Sequence, residues 1–252
     1  DFKDGASRDL RVDLKNMNVT STSTYKWCLM GVQEVGKFTI NMTNVNVDWN
    51  RPLVDAKNQE ITGGAFVRCG NNTKAQEVNL TTDGCTIDVS GAKGAQGMYI
   101  CKEVTGAFKL NNTEFIMPDG VADICTNNGG ATVTYVHEAK NAEEFTTAVR
   151  KVNGFTEDVT IKLLADIVLT DVIEINNTNG KNITIDGANG DDRYTLTLNT
   201  SVQSILVMQT KGKITFQNMD IAHGGSSMIL RLGNDFKDGA SRDLRVDLKN
   251  MN

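Results

Sequence analysis

The ionisable side chains that are candidates for catalysis are Asp191-Asp192-Arg193, with His223 in Ile-Ala-His-Gly-Gly further on and Asp186 just before. Clustered carboxylates serve polysaccharide hydrolases as acid and base, and carboxylate-bound calcium with a basic residue serves lyases. The alternative reading is therefore a carbohydrate-active enzyme, a polysaccharide lyase or hydrolase, with Asp191, Asp192 and His223 as its catalytic residues. Against it, Gly-Asp-Asp-Arg has the composition of a solvated turn, and His223 precedes a glycine pair. Both histidines, His137 and His223, read as loop residues, and no metal site or cofactor is expected. No C-x-x-C pair or serine elbow occurs, and Gly-Ala-Lys-Gly-Ala-Gln-Gly at 91–97 lacks the phosphate-loop spacing. The expectation is a protein that is not an enzyme.

Two further sets carry chemistry of another kind. Eight N-x-S/T sequons start at Asn18, Asn41, Asn71, Asn79, Asn111, Asn176, Asn182 and Asn199. They mark either an exported glycoprotein or simply the residues that suit turns and outward strand faces. Five cysteines are present, and Cys28, Cys69, Cys101 and Cys125 recur near the ends of similar apolar segments. On stacked strands they would form a ladder with Cα atoms ~5 Å apart, as bonded pairs or as a file of small buried thiols.

The elements that hold these groups repeat. Period-2 segments recur at Ile183-Thr-Ile185-Asp-Gly187, Ile214-Thr-Phe216-Gln-Asn218, Val12-Asp-Leu14-Lys-Asn16, Phe38-Thr-Ile40-Asn-Met42, Val78-Asn-Leu80-Thr-Thr82 and Phe108-Lys-Leu110-Asn-Asn112, preceded by Ile161-Lys-Leu163. Such alternation gives a strand with one apolar face, and Asn or Gly two residues after the second apolar side chain suits a left-handed corner. A second apolar segment follows in each case, for example Trp27-Cys28-Leu29, Phe66–Cys69 and Met98–Cys101. A lone strand of this kind cannot cover its own inner face, so the repetition predicts stacked coils. The fold expected is all-β, a right-handed parallel β-helix (solenoid). The longest interval, around 48–75, reads as an insertion in which Trp49 and Arg51 are placed to stack on a sugar.

One stretch changes period. Ala142, Phe145, Ala148, Val149 and Val152 share a helical face, Asn141 with Glu144 forms a near capping box, and Gly154 suits the stop. A short amphipathic capping helix is expected near 141–153. The passage TYVHEAKNAEEFTTAVRKVNGFTEDVTIKLLADIVLTDVIEINNTNGKNITIDGANG resembles the opening of pectate-lyase-like right-handed parallel β-helix repeat domains in bacterial and archaeal adhesin-like surface proteins. That resemblance covers 131–190 and implies an extracellular, cell-surface stalk or adhesin.

Residues 1–18, DFKDGASRDLRVDLKNMN, return unchanged as 235–252. Two identical 18-residue segments do not arise by convergence; they mark a tandem array of 234-residue units or an artificial joining. On the first reading neither Asp1 nor Asn252 is a natural end, 1–130 is the C-terminal part of one β-helix module, and 131–252 is the cap and first coils of the next. With 252 residues, net charge −5 and 39% hydrophobic residues, the chain has enough apolar material for a core and no basic footprint for nucleic acid. No apolar run approaches the ~18 residues of a membrane helix. The function expected is a structural repeat module of a fibre, stalk or adhesin. Its partners would be copies of itself in head-to-tail or filament contacts, together with cell-surface glycans or a host receptor.

Overall fold

The computed structural model describes residues 9–33, 36–70, 75–121, 123–199, 205–208, 211–224, 228–233 and 243–252. The chain forms an all-β parallel β-solenoid with one short helix, divided into two compact units, Asp1–Thr134 and Tyr135–Asn252. No helix among the described residues is long and apolar enough to cross a membrane.

In the first unit each turn of chain lays down one strand per sheet. The first coil carries β1 (Asp9–Ser21) and β2 (Cys28–Val32), and the second carries β3 (Lys37–Trp49) and β4 (Ala65–Cys69). In the third, β5 (Gln76–Asp83) and β6 (Thr86–Asp88) replace one long strand and precede β7 (Gln96–Ile100). The fourth holds β8 (Val104–Thr105), β9 (Ala107–Asn111), β10 (Glu114–Ile116) and β11 (Cys125–Asn127). All inter-coil pairings are parallel: β1 to β3, β3 to β5 and β6, β5 to β9, and β2 to β4 to β7 to β11. Alternate residues point inward, so Ile40, Leu80 and Phe108 stack at 0–1% exposure. Two inward hydroxyls meet across coils: those of Thr82 and Thr113, both buried, hydrogen-bond each other at 2.7 Å and so satisfy the need that burial creates.

The second unit takes up the chain within β12 (Thr132–Ala139), followed by α1 (Ala142–Asn153). A coil of β13 (Val159–Leu163), β14 (Ile167–Leu169) and β15 (Ile173–Ile175) comes next. After it come β16 (Ile183–Asp186), β17 (Ala188–Asn189), β18 (Asp192–Leu198) and β19 (Ile205–Val207), then β20 (Lys211–His223), β21 (Leu230–Leu232) and β22 (Asp243–Met251). The central file runs Val159, Ile183, Ile214, Val246 in register, beside Ile161, Ile185, Phe216. Helix α1 buries Phe145, Ala148, Val149 and Val152 against β13, β14 and β15, the three sides of one coil. Its start follows from the expected cap: Asn141 Oδ1 accepts the Glu144 backbone N–H at 2.9 Å, and a Glu144 carboxylate oxygen accepts the Lys140 N–H at 2.8 Å. Its end is held by buried Asn177, whose amide donates to the Val152 and Phe155 carbonyls.

The corners are sharper than the sequence pattern suggested. Every described non-glycine residue with positive φ is asparagine, and five of the six, Asn16, Asn44, Asn112, Asn218 and Asn250, lie at the bend after the inward pair. Strand register aligns Ile40 and Met42 with Val12 and Leu14, and Leu80 and Thr82 with Ile40 and Met42. The expected frames Phe38-Thr-Ile40 and Val78-Asn-Leu80 were thus two residues early. Their corners are Asn44 and Gly84 (φ 61°), two residues beyond Met42 and Thr82, where those frames offered no Asn or Gly. A slip of two keeps the same residues inward, so alternation alone could not detect it. Gly187 meets a different need: a Cβ there would lie 2.6 Å from that of Met219.

Corner amides also link the coils. Asn44 Nδ2 donates to Asn16 Oδ1 at 3.1 Å, Asn218 Nδ2 to Asp186 Oδ1 at 3.1 Å, and Asn250 Nδ2 to Asn218 Oδ1 at 3.0 Å. Asn218→Gly keeps the left-handed corner and loses the amide, so it should cost about 1 kcal/mol. Asn218→Val adds backbone strain and should cost about 2–3 kcal/mol. Thermal unfolding of the two variants checks this, and equal losses would exclude backbone conformation as the reason for asparagine.

Candidate functional site: the repeated strand

Of the 18-residue repeat, residues 9–18 and 243–252 are described, and they form the first strand of one unit and the last of the other. The local structure is the same twice. Asn16 and Asn250 both have φ 50°, and an Arg11–Asp13 pair at 2.9 Å recurs as Arg245–Asp247 at 2.6 Å. The Arg11 hydrogen bond, then that of Asn41, holds the Asp13 carboxyl below its ordinary range, and Arg245 does the same for Asp247.

The surroundings differ. As β1, the segment pairs with the coil that follows it: Val12 faces Ile40, Leu14 faces Met42 and Met17 faces Val45. As β22, it pairs with the coil that precedes it: Val246 faces Ile214, Leu248 faces Phe216 and Met251 faces Met219. Those six partners are at most 1% exposed, whereas Val12 is 36%, Met17 38% and Leu248 62% exposed. Among the described residues each copy therefore pairs with one neighbouring strand and leaves apolar side chains half covered. The corner amide divides in the same way. As Asn16 its oxygen accepts from the next coil, and as Asn250 its nitrogen donates to the previous one.

The other expected sites fare unequally. Asp191 and Asp192 line a shallow cleft of about 460 Å³ with Asp166, Arg193 and Asp220. Arg193 Nε lies 3.4 Å from Asp220 Oδ1, and its Nη1 donates to the Asn250 carbonyl at 3.0 Å. His223 is not part of this group. It lies opposite Leu198, six residues beyond Asp192 along β18, or about 20 Å. Asp186 is absorbed by the corner ladder, accepting from Gln217 and Asn218. His137 is no loop residue: it is buried in β12, edge-on to Phe155 at 5.8 Å.

Trp49 and Arg51 do not face a ligand either. Trp49 is 0% and Arg51 2% exposed; the guanidinium stacks on the indole at 5.0 Å and donates to the carbonyls of Lys26 and Lys93, which flank it from two other coils. Alternation along β3 turns Trp49 inward, and the arginine follows as a strut. Trp27, expected within a strand, precedes β2 and reaches solvent.

Among the sequons, Asn18 and Asn199 are exposed, Asn41, Asn79, Asn111, Asn176 and Asn182 are half-buried, and Asn71 lies outside the described residues. The side-chain amides of Asn41, Asn79 and Asn182 donate to Asp13, Glu77 and Asp158. Three of the four cysteines of the expected ladder share one sheet, but register separates them: Cys28 faces Ala65, Cys69 faces Val32 and Ile100, and Cys125 faces Met98, while Cys101 follows the end of β7. All five thiols are free. No group of three or more His, Cys, Asp or Glu suited to a metal ion occurs among the described residues.

At the level of class, fold and sites together define a parallel β-helix whose first and last strands are one sequence. Comparison with family models, curated proteins and solved structures returned no match.

Burial pushes the Cys69 thiol up to about 12, with neighbouring cysteines adding to the effect. At pH 8 only ~10⁻⁴ of it is thiolate, so it should resist alkylation while half-buried Cys28 and Cys125 react. The raised value favours the folded state fully below the unfolded thiol's pKa of 9.0, and that contribution falls away as pH climbs towards 12. Mass mapping of iodoacetamide adducts before and after denaturation tests the order; early labelling of Cys69 would contradict it.

Proposed function

We propose that the chain is a structural module of an extracellular fibre, stalk or adhesin, lengthened by tandem or head-to-tail stacking of β-helix coils. The observation that carries this is the repeated strand. One sequence is bonded to a following coil as β1 and to a preceding coil as β22, in the same conformation, using opposite ends of the same corner amide. With both neighbours present, Val12, Leu14 and Met17 would become an ordinary inward row, and each added coil would advance the rod by ~4.8 Å. Burying a Leu or Val side chain from the half-exposed state contributes on the order of 1 kcal/mol, and a full row several.

An unpaired parallel edge with apolar side chains is a template for another chain, and its partner here would be a further copy of the same module. The surface-protein setting is supported by the sequons and by the likeness of 131–190 to pectate-lyase-like adhesin domains. Export, the glycans and the adhesin role follow from that reading.

Leu248→Lys tests the stacking. The side chain is 62% exposed, so the substitution should leave the circular dichroism and melting of the single chain within about 0.5 kcal/mol of wild type. In a stack it would bury an ammonium group. Wild-type protein should form concentration-dependent end-to-end assemblies, seen by sedimentation and electron microscopy, and the variant should not. Dispersed wild-type monomers at high concentration would refute the proposal, as would assembly indifferent to the charge.

A further inference from the structure

The slot that stacking would fill has a definite length. Strands β1, β3 and β20 each run thirteen residues, whereas β22 runs nine. β22 follows β20 in register from Lys211 as far as Met219, and the Ile221 N–H adds a bond to the Asn252 carbonyl at 3.1 Å. Beyond that point Ala222 and His223 pair with β18 on one edge and have no strand on the other among the described residues. His223 Nε2 is buried there with no hydrogen-bond partner among the described residues. By the same register, the three places after Asn252 belong opposite Ile221, Ala222 and His223. In β1 those places are held by Val19, Thr20 and Ser21, which pair with Val47, Asp48 and Trp49.

Two chains can meet in two ways. If β22 of one lies directly against β1 of the next, with corners aligned, like meets like. Arg245 falls beside Arg11, Asp247 beside Asp13 and Lys249 beside Lys15, each ~4.8 Å apart, and like charges directly opposite are destabilising. Lys213 already faces Arg245, so three cations would stand in one file. Val19–Ser21 would also lie two strand spacings from Ile221–His223, about 10 Å, and leave that edge open. If β22 instead takes the place of residues 9–18 on β3, neither problem arises. Arg245, Asp247 and Lys249 face Thr39, Asn41 and Thr43, as Arg11, Asp13 and Lys15 do now. The Asn41 amide that donates to Asp13 at 2.7 Å finds Asp247 in its place. Val19–Ser21 stay on β3 and come to lie beside Ile221–His223, with Ser21 opposite His223.

We infer that chains join by strand replacement: β22 of one displaces residues 9–18 of the next. Asp243–Asn252 of the first chain and Val19–Ser21 of the second then make one thirteen-residue strand between β20 and β3, an exchange of identical elements. The inference rests on the stacking reading and names which of the two identical segments fills the slot. Coverage decides which one yields. Leu244, Val246 and Met251 are half-buried on β20, whereas Leu10, Val12 and Met17 on β3 are exposed; only Leu248 is less covered than its counterpart Leu14. Arg193 also holds the Asn250 carbonyl at 3.0 Å. In the joined strand Leu248 closes between Phe216 and Met42. Asn250 keeps its bond to Asn218 and takes over the one that Asn44 now makes to Asn16.

Equivalent positions in the two segments should therefore behave oppositely. Sedimentation velocity of the full chain, with electron microscopy, gives the concentration at which half the protein is assembled. Leu14→Lys lies in the displaced segment, so it should assemble at the wild-type concentration or up to tenfold below it. Leu248→Lys lies in the retained strand and should need at least tenfold more protein. Should Leu14→Lys fail to fold by circular dichroism, Val12→Lys, at a side chain 36% exposed, takes its place. Loss of assembly in both segments would overturn replacement and leave stacking intact. Loss in the 9–18 segment alone would overturn it too, since β22 would then be the strand that yields. Loss in neither, or a wild-type chain that never assembles, would overturn this inference together with the stacking beneath it.

Discussion

A strand of this protein has two hydrogen-bonding edges and one apolar face, and no coil can satisfy either by itself. The edges are met by the coils before and after, and the inward side chains are covered by the same neighbours. Ile185 has Ile161 on one side and Phe216 on the other, and reaches 0% exposure through both. Stability in such a stack is local to each contact between neighbours, so the position of a coil decides how well it is held. Exposed apolar side chains include Leu10, Val12 and Met17 on β1 and Leu248 on β22, each on a strand with one described partner strand, while Leu53, Val54, Val168 and Val172 are exposed on other coils.

The remaining features serve that pairing. Parallel strands in register demand that the chain turn at the same height in every coil, and a left-handed asparagine does this while its amide reaches the coil before. Glycine does the turning without the link, and Gly84 stands where the Asn16–Asn44 ladder would otherwise continue; a Cβ there would crowd the Asn44 side chain at 2.8 Å. Helix α1 meets the requirement differently. It lays an apolar stripe against three strands of one coil, and the Asn177 amide donates to the carbonyls of Val152, in its last turn, and Phe155 just beyond it.

The repeated segment isolates the effect of neighbours, because its sequence is held constant. The same Leu, Val and Met side chains are capable of lying in a file of buried residues, and in each copy they do so on one side only. The outer surface follows other rules. There the Arg68 guanidinium lies near two rings, 5.1 Å from the Trp27 centroid and 5.3 Å from that of Tyr99.

Alternation, recurring Asn and Gly, scarce proline and one amphipathic stretch with its capping box were enough to determine a parallel β-helix with a helix over 141–153. These are signals carried by adjacent residues, and local physics acts on them directly. Register was not determined, since a two-residue slip preserves the face; that is why no corner was expected at Asn44 or Gly84 in the coils framed on Phe38 and Val78, and why a cysteine ladder was expected where the file holds Val32, Cys69 and Ile100. Nor could spacing place His223 against Asp192, or tell that Trp49 turns inward while Trp27 stays out. Those outcomes depend on which residue of another coil lies alongside, and the sequence does not encode distance between coils except through the packing that brings them together.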